Sequence, residues 1–430
     1  TLEGEQPYSY LIFTNSTGYY AINGTTGDID FSHSTNGITI LQTAVNNLPV
    51  NGGAIYIKPP FSTIGDLIIN KSDISIISDW NAKTYSTTIG VWIDGRIHLD
   101  ATNDDIRRIF LRGLSTKEIN FYANGHVISF VSVEHCYIAS VNPYSGIVFR
   151  GVGNQLDQIW FRNCRFNQWS TASGYGFVTL LNSGQTLGQL HFESCVYTSA
   201  NNNQIFLVIK DGSGIAPPLW IRDTHFYVNT YNWSMVNIEG GSANGYLFMH
   251  CSGGYFEMNG NWSKNGLIWI GATTGAHAFD VIFIDNIFNL ACANSAFTFV
   301  NNTNTRWTDA TKDRGNGIIF CSNVIRLCSA SSTFNIGKTG EGLETLGIFK
   351  CEFESNRGFV ADNSGTATNT TSTTFVFNHG LAGTPTGVWA SFNTTEITGW
   401  TWTATSTQIT ITVTGMTDDR TCYWQAVYKP

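Results

Sequence analysis

A short alternation of apolar and polar positions returns along most of the chain. Each copy reads apolar, any residue, apolar, any residue, then a turn-forming residue and a small or apolar residue that we call the anchor. Val131 to Cys136 is a clear copy. The nine anchors are Leu114, Cys136, Cys164, Cys195, Thr224, Cys251, Asn286, Asn323 and Cys351. Because the turn residue breaks the alternation, each copy predicts a short strand followed by a bend.

The spacing of the anchors favours a solenoid. Successive anchors are 22, 28, 31, 29, 27, 35, 37 and 28 residues apart. A constant strand with loops of variable length is typical of stacked coils, whereas propeller blades hold more regular lengths and rank second. In a parallel β-helix the coils stack at about 4.8 Å, so Cys136, Cys164 and Cys195 are expected to form one interior column. The predicted bends are Gly113, His135, Asn163, Ser194, Asp223, His250, Asp285, Ser322 and Lys350.

The pattern changes at both ends of the chain. Ile40 to Pro49 has helical spacing of apolar residues and ends at a proline, so it predicts a short helix that caps the solenoid. After Asp362 a Ser/Thr-rich segment resembles a linker, and alternating strands follow. We therefore expect an all-β protein. Its predicted parts are an N-terminal segment with the capping helix (1–50), a right-handed parallel β-helix (51–362), a linker (363–372) and a small β-sandwich (373–430).

Three segments carry a family resemblance. Tyr20 to Gly24, the short helix and Gly52 to Lys58 resemble the opening of pectate-lyase-superfamily β-helix proteins, a family that includes viral tailspikes and secreted polysaccharide-degrading enzymes. Phe377 to Leu381 is similar to a segment in the terminal domain of tailspike-like proteins, where such domains resemble trimerisation or carbohydrate-binding caps. The resemblance implies a polysaccharide ligand, a homotrimer and an extracellular place, either secreted or on a virion surface. The polygalacturonase motifs Asn-Thr-Asp, Gly-His-Gly and Arg-Ile-Lys are missing.

Charge and cysteine content narrow the function classes. The net charge is −8 and no Lys/Arg cluster occurs, so nucleic acid and acidic membrane surfaces are disfavoured as partners. The nine cysteines include no CxxC pair, and the sequence has no obvious acidic calcium cluster. We expect no metal and no cofactor.

Two outward columns carry the candidate chemistry. Two residues before successive anchors lies a charged column of Arg112, Glu134, Arg162, Glu193 and Arg222. Four residues before the anchors lies an aromatic column of Phe110, Ser132, Trp160, His191 and Trp220. Aromatic rings and hydrogen-bonding forks together suit sugars. The expected substrate-binding residues are Trp160, Arg162, His191, Trp220, Arg222 and His225.

Three carboxylates are candidate catalytic residues. Glu134 and Glu193 are two coils apart, about 9–10 Å, which is near the upper limit for an inverting glycosidase pair. The structural alternative is that opposite charges simply stack well across neighbouring strands. Asp223 shares the predicted bend position with His250 and Asp285, in a stack of carboxylate, imidazole and carboxylate. The alternative there is that bends favour aspartate.

These features favour an extracellular polysaccharide-degrading enzyme that acts as a glycoside hydrolase. A non-catalytic glycan-binding fibre or adhesin and a polysaccharide lyase are the alternatives. Further along, the two columns become apolar, and we expect this patch to be buried against a symmetry-related subunit of a trimer or against the C-terminal domain. Its predicted members are Leu247, Met249, Ile282, Ile284, Ile319, Cys321 and Phe349.

Overall fold

The computed structural model describes most of the 430-residue chain. The described residues are 8–79, 90–141, 145–151, 155–169, 176–181, 186–199, 201, 204–210, 218–229, 233–239, 245–258, 267–270, 277–290, 296–298, 300–302, 317–327, 333–335, 350–354, 356, 362–368, 373–381, 383–394, 396–415 and 420–428.

The N-terminal segment closes one end of the solenoid. Strands Tyr10–Asn15, Gly18–Asn23 and Ile29–His33 pair in antiparallel order. The helix Gly37–Asn47 follows, with the side chain of Asn36 accepting a hydrogen bond from the backbone N–H of Ile38 at 3.1 Å. Its apolar side is buried, as the helical spacing predicts. Within the described ranges, no helix is long and apolar enough to cross a bilayer.

The first face of the solenoid is a long sheet in which each strand pairs with the strand one coil later. After the antiparallel strands, its members are Gly53–Ile57, Ile74–Ile77, Ile106–Arg112, Val127–Glu134, Gln155–Arg162, Leu190–Glu193, Leu219–Arg222, Gly245–Ser252, His277–Ile284, Gly317–Cys321 and Lys350–Glu354. These pairs are parallel, so the prediction of a right-handed parallel β-helix is confirmed. The short strand Thr186–Leu187 pairs beside this path.

Two further faces complete each coil. The second face comprises Phe61–Ile64, the first parts of Val91–Ala101 and Ser115–Ala123, then Tyr137–Ser140, Arg165–Gln168, Val196–Ser199, His225–Val228, Tyr255–Met258, Ile287–Leu290 and Val324–Leu327. The third face comprises Leu67–Ile69, the second parts of the same two long strands, then Ile147–Arg150, Val178–Leu181, Ile205–Lys210, Ser234–Glu239, Ile268–Ile270 and Val300–Asn302. A separate pair is formed by Ala296–Thr298 and Thr333–Asn335.

Stacked aromatic side chains fill the interior. The rings of Phe161 and Phe192 lie 5.1 Å apart and 9° from parallel. Further along, Phe226, Phe256 and Phe288 stack with ring centres 4.9 and 4.6 Å apart. Equivalent positions of successive coils lie directly above one another. One buried ring in each coil therefore forms a continuous stack in the core.

The predicted bend between the first and second faces is present in most coils. Gly113, His135, Asn163, Ser194, Asp223, Asp285 and Ser322 all have positive φ. The prediction for His250 is wrong, because that coil turns at Gly253, three residues later, where glycine adopts positive φ without a side-chain clash. Cys251 is therefore not an anchor but a core residue opposite Ile221.

The last predicted copy is also displaced. Lys350 lies opposite Gly317 and Cys351 opposite Ile318, so neither occupies the bend or the anchor position. Asn356 is the anchor of that coil, because its Oδ1 accepts a 2.9 Å hydrogen bond from the backbone N–H of Asn323. In the same way, Oδ1 of Asn323 accepts a hydrogen bond from the backbone N–H of Asn286. These amide side chains therefore connect neighbouring coils by hydrogen bonds inside the solenoid.

The C-terminal part contains two antiparallel sheets of three strands each. One sheet is Asp362–Thr368, Thr421–Val427 and Gly387–Phe392, and the other is Thr374–Asn378, Gln408–Thr414 and Gly399–Ala404. Their facing apolar residues form a core separate from that of the solenoid. Residues 363–368, which the sequence assigns to a linker, lie in the first of these strands and pair along its whole length.

Candidate functional site

The aromatic column lies on the outside of the first face, as the repeat predicts. Trp160, His191 and Trp220 are directly opposite one another in three successive coils. Their rings stack, with centres 5.2 Å apart for Trp160 and His191 and 6.1 Å apart for His191 and Trp220. The corrected register adds His250, whose ring centre is 5.0 Å from that of Trp220. Four rings therefore form a continuous ladder on the outward side of the first face, in which His191 is 8% exposed and the other three residues are half-buried.

The charged column runs beside this ladder with strictly alternating sign. Arg112, Glu134, Arg162, Glu193 and Arg222 occupy successive opposed positions. Arg162 Nε donates to Glu193 Oε2 at 2.9 Å, and its Nη1 is 3.7 Å from Glu134 Oε1. One guanidinium thus bridges Glu134 and Glu193, two of the three predicted catalytic carboxylates.

Arginine also contacts the ladder itself. The Cζ atom of Arg162 lies 5.5 Å from the ring centre of Trp160, and that of Arg222 lies 5.4 Å from the ring centre of Trp220. Such cation–π contacts hold the indole rings in place. Both columns therefore present one interlocked surface of rings and charges.

The histidines of the ladder favour their neutral forms. Burial lowers the pKa of His191, and the guanidiniums of Arg222 and Arg162 lower it further, against the opposing effect of Glu193. Burial and Arg222 lower the pKa of His250. The Nε2 atom of His191 is 3.1 Å from Gln189 Oε1 and the residue is only 8% exposed, so His250 is the more accessible of the two histidines.

Two of the predicted site residues lie apart from the ladder. Asp223 is at the exposed corner, with φ of 47°. His225 is beyond that corner, on the second face, where its Nε2 is 3.7 Å from Glu257 Oε2 and its ring is 4.8 Å from that of Tyr255. Burial lowers the pKa of His225, although Glu257 acts in the opposite direction. The structure therefore brings together Glu134, Glu193 and the five first-face residues, but neither Asp223 nor His225.

The apolar continuation of the two columns is shorter than predicted. Ile282, Ile284, Ile319 and Cys321 lie at the outward positions and are half-buried. Met249 is an interior residue and is fully buried, because the coil turns three residues later than predicted. Phe349 and the side chain of Leu247 lie outside the described residues.

The structure contains a second column in which an arginine lies between two acidic residues, and the sequence repeat does not predict it. Asp66, Arg96 and Glu118 occupy one column on the third face, and we call them the buried-acid column. Glu118 is opposite Arg96 in the strand register, and the backbone N–H of Arg96 donates to Asp66 Oδ1 at 2.8 Å. The two carboxylates are therefore two coils apart, about 9–10 Å, like Glu134 and Glu193.

Glu118 is almost fully buried, with 4% of its surface exposed. Its Oε1 lies 3.4 Å from Arg96 Nε and 4.0 Å from Arg150 Nη2, and the carboxyl accepts a hydrogen bond from the backbone of Ser145. Burial raises the pKa of Glu118 to about 7, although both guanidiniums act to lower it. The charge of Asp66 contributes to the rise.

More accessible polar groups surround this carboxyl. His98 Nε2 is 3.4 Å from Asp66 Oδ2, and burial lowers the pKa of His98 despite that contact. Arg150 Nε donates to Asn120 Oδ1 at 3.0 Å, and the Nδ2 atom of Asn120 has no hydrogen-bond partner among the described residues. Asp66 has a 43% exposed side chain and Arg150 a 37% exposed one, so the rim is open to solvent while the floor is not.

Comparison with known proteins finds similar folds but no family. No protein-family model matches the chain, and no curated protein matches it. The tailspike protein of Acinetobacter phage vB_ApiP_P1 is 12% identical, with 92% of this chain and 85% of that chain covered and a TM-score of 0.41. A tailspike protein of Acinetobacter baumannii bacteriophage Fri1, described as a capsular polysaccharide depolymerase, is 9% identical, with coverages of 90% and 82% and a TM-score of 0.32. A tailspike protein of E. coli bacteriophage HK620 is 12% identical, with coverages of 100% and 98% and a TM-score of 0.31. The assignment of the fold rests on the strand pairing and not on these similarities.

Proposed function

We propose that the protein binds a polysaccharide along the outside of the first face. The observation that carries this proposal is the ladder of Trp160, His191, Trp220 and His250 beside the charged column. A repeating ligand suits a repeating surface, since each coil offers a ring and a charged fork at a fixed interval. The arginine forks, the glutamate carboxylates and the imidazole of His250 supply donors and acceptors for hydroxyl groups.

A gap in the aromatic column marks the best place for one sugar ring. Ser132 lies between Phe110 and Trp160 in successive coils, so the two aromatic positions are about 9–10 Å apart. A pyranose between two rings needs about this spacing, because each stacking contact takes about 4–5 Å. Glu134 lies at the side of the gap, with its Oε1 3.1 Å from the hydroxyl of Ser132. We expect a sugar to stack on Trp160 there.

Affinity electrophoresis tests the binding proposal. The gel contains one polysaccharide at a time, from a panel of dextran, xylan, galactomannan, hyaluronan, alginate, polygalacturonate and purified bacterial capsular polysaccharide. We expect retardation in at least one gel and a loss of about fivefold in affinity for Trp160→Ala, as a lost stacking contact costs about 1 kcal/mol. Trp169→Ala is the matched control, since Trp169 is a 44% exposed tryptophan away from the ladder. Equal retardation of both variants would exclude the ladder as the binding surface.

Hydrolysis of the bound polysaccharide is the second part of the proposal. Glu134, Glu193 and Asp223 are its candidate carboxylates, and the two-coil separation of the glutamates is compatible with an inverting pair. Each is replaced singly by its amide, and reducing ends are measured with the polysaccharide that is retained. New reducing ends accompanied by absorbance of unsaturated products indicate a lyase instead. Retention without either product indicates a glycan-binding fibre or adhesin.

We further propose that the protein acts outside the cell, secreted or on a virion surface, as a homotrimer. The half-buried outward residues Ile282, Ile284, Ile319 and Cys321 support the trimer, because an apolar strip of this kind is stabilised by an additional subunit. Light scattering coupled to size-exclusion chromatography measures the mass directly. A mass near 47.3 kDa, that of one chain, would contradict the trimer.

A further inference from the structure

We propose that a crevice beside the ladder binds an acetyl group carried by the polysaccharide, with the methyl group inside the crevice and the carbonyl oxygen at the amide of Gln189. The inference rests on the proposed binding of polysaccharide and names a chemical feature of that ligand. Three observations support it: the size of the crevice, its apolar lining and the polar groups at its mouth.

The crevice lies at the corner where the third face turns into the first. Its mouth is formed by Gly188, which is half-buried, and by Gln189, which is exposed, so the space opens to the outside there. Two successive coils contribute its apolar lining, which consists of Phe149, Leu156, Ile159, Leu180 and Leu190.

The crevice exists because a stack of aromatic side chains ends at this corner. Phe121, Phe149 and Leu180 occupy one inward column of the third face. The rings of Phe121 and Phe149 stack with their centres 4.6 Å apart, and Leu180 continues the column with a smaller side chain. The space that remains has a volume of about 10 Å³, enough for one water-sized group, and a methyl group is only slightly larger.

An apolar group is the favoured occupant of this space. Among the described residues that line it, only Gln189 has a polar side chain, and the backbone N–H of Gly188 already donates to the carbonyl of Leu156. A water molecule inside would find few partners, whereas buried waters ordinarily make about three hydrogen bonds. Replacing such a poorly held water molecule by a methyl group is favourable.

The mouth supplies a hydrogen-bond donor for the carbonyl oxygen of the acetyl group. Gln189 Oε1 lies 3.1 Å from Nε2 of His191, a contact that orients the carboxamide beside the ladder. The Nε2 group of Gln189 then remains as a donor at the mouth. A methyl-sized space with an N–H donor beside it corresponds to the two parts of an acetyl group.

The charge at the mouth favours a neutral substituent. The carboxylate of Asp157 lies against Gly188, where a β-carbon would collide with its Oδ1 atom. A negative charge in this place repels the carboxylate of a uronate or any other anionic substituent. An acetyl group carries no charge and is not repelled.

The crevice belongs to the same two coils as two rings of the ladder. Ile159 and Leu190 line it and directly precede Trp160 and His191, which are opposed in the strand register. A sugar chain that follows the ladder therefore passes the mouth, and a substituent on one sugar can enter the crevice. The crevice is thus a specificity site beside the proposed binding surface.

Affinity electrophoresis with chemically altered polysaccharides tests the inference. Each polysaccharide of the panel that the wild type retains is used untreated, after mild alkali, and after N-deacetylation followed by reaction with butyric anhydride. Alkali removes O-acetyl esters, and the second treatment replaces N-acetyl by N-butanoyl groups, so the two distinguish the sources of an acetyl group. The variants are Gln189→Glu and Leu180→Phe. Gln425→Glu is the control, since it makes the same change of charge at an exposed glutamine of the C-terminal sandwich.

We expect one of the two treatments to weaken wild-type retention about tenfold, because the acyl group is then absent or too long for the crevice. Gln189→Glu replaces the donor by an acceptor and should lose about fivefold in affinity, for the acetylated form only. Leu180→Phe extends the stack of Phe121 and Phe149 into the crevice and should lose about fourfold, again for the acetylated form only. Gln425→Glu should match the wild type with every form.

Other outcomes overturn the inference. Retention that neither treatment weakens, or retention only of polysaccharides without acetyl groups, excludes the acetyl site and leaves the binding proposal intact. An equal loss for the acetylated and deacetylated forms in Gln189→Glu would show that Gln189 acts through His191 and not on an acetyl group. No retention of any polysaccharide contradicts the proposed function and this inference with it. Thermal midpoints report folding, and Gln189→Glu, at an exposed position, decides the question if Leu180→Phe unfolds.

Discussion

Two columns of this solenoid share one charge pattern and differ in burial. Glu134, Arg162 and Glu193 on the first face and Asp66, Arg96 and Glu118 on the third face each place an arginine between two acids in successive coils. On the first face the glutamate side chains are 24% and 28% exposed, whereas that of Glu118 is 5% exposed. The same stack of charges is therefore partly solvated in one place and shielded from water in the other.

In these two columns the surroundings of the ion pair, and not the identity of its partners, determine how readily the carboxyl ionises. Arg162 contacts both of its neighbouring carboxylates and also the ring of Trp160, an arrangement suited to binding. Arg96 contacts the carboxyl of Glu118, from which water is excluded. The free energy needed to ionise that buried carboxyl therefore exceeds the stabilisation that the guanidinium provides.

The largest expected effect is a pH-dependent change in stability on replacing Glu118 by glutamine. The folded-state pKa of about 7 is above the ordinary value of 4.5, so between these values the folded state holds a proton that the unfolded state releases. Wild-type stability should therefore decrease as pH rises from about 4.5 to 7, by about 3 kcal/mol. Glu118→Gln should lack this decrease.

Urea unfolding at about pH 5 and about pH 8 measures this difference. Glu134→Gln is the comparison variant on the first face, and its stability relative to the wild type should change by less than about 1 kcal/mol over the same interval. An equal pH dependence in wild type and Glu118→Gln would show that Glu118 is ionised in the ordinary range.

A smaller effect is expected from removing each central arginine. Arg96→Met leaves the Glu118 carboxyl with only one guanidinium nearby and should cost about 2 kcal/mol at about pH 8, but less at about pH 5, where the carboxyl is protonated. Arg162→Met should cost less than about 1 kcal/mol at both, because its pairs are more exposed. Similar costs for the two variants at both pH values would remove the distinction between the columns.

The smallest expected effect on stability comes from filling the gap at Ser132. In Ser132→Trp the new ring stacks between Phe110 and Trp160 and continues the ladder, so stability should change by less than about 1 kcal/mol. Polysaccharide retention should nevertheless be lost, because the sugar position is occupied. Retention equal to that of the wild type would show that sugars do not enter this gap, and thermal unfolding confirms that the variant is folded.

The sequence predicts the solenoid because its strands alternate and its bends need unusual residues. Where apolar and polar residues do not alternate, the register predicted from the sequence is wrong. Gly245–Ser252 contains an almost unbroken apolar run, so the repeat fits it equally well three residues too early, and only Gly253 in the structure settles the turn. For that reason the repeat assigns His250 to the bend and Met249 to the surface, whereas in the structure His250 lies on the outward side of the face and Met249 in the interior.

Glu118 was missed for a different reason. The repeat was aligned on the first face, and a register irregularity between Thr116 and Glu118 breaks the alternation that places a side chain inside or outside. In the sequence, the adjacent Lys117 and Glu118 also resemble an ordinary pair of solvent-exposed charged residues. Aligning Ile97 and Leu99 with Ile119 and Phe121 places Arg96 directly opposite Glu118, so the pairing was present in the sequence, whereas the burial was not.

Isotope-edited infrared spectroscopy of the Glu118 carboxyl tests the difference between the two columns most directly. The spectrum of Glu118→Gln is subtracted from that of the wild type, both labelled with ¹³C-glutamate, across a pH titration, and Glu134→Gln provides the same subtraction for the first face. We expect the protonated C=O band of Glu118 to persist at about pH 6 and to disappear with a midpoint near 7. A midpoint near 4.5, the ordinary value for glutamate, would contradict the role of burial that distinguishes the two columns.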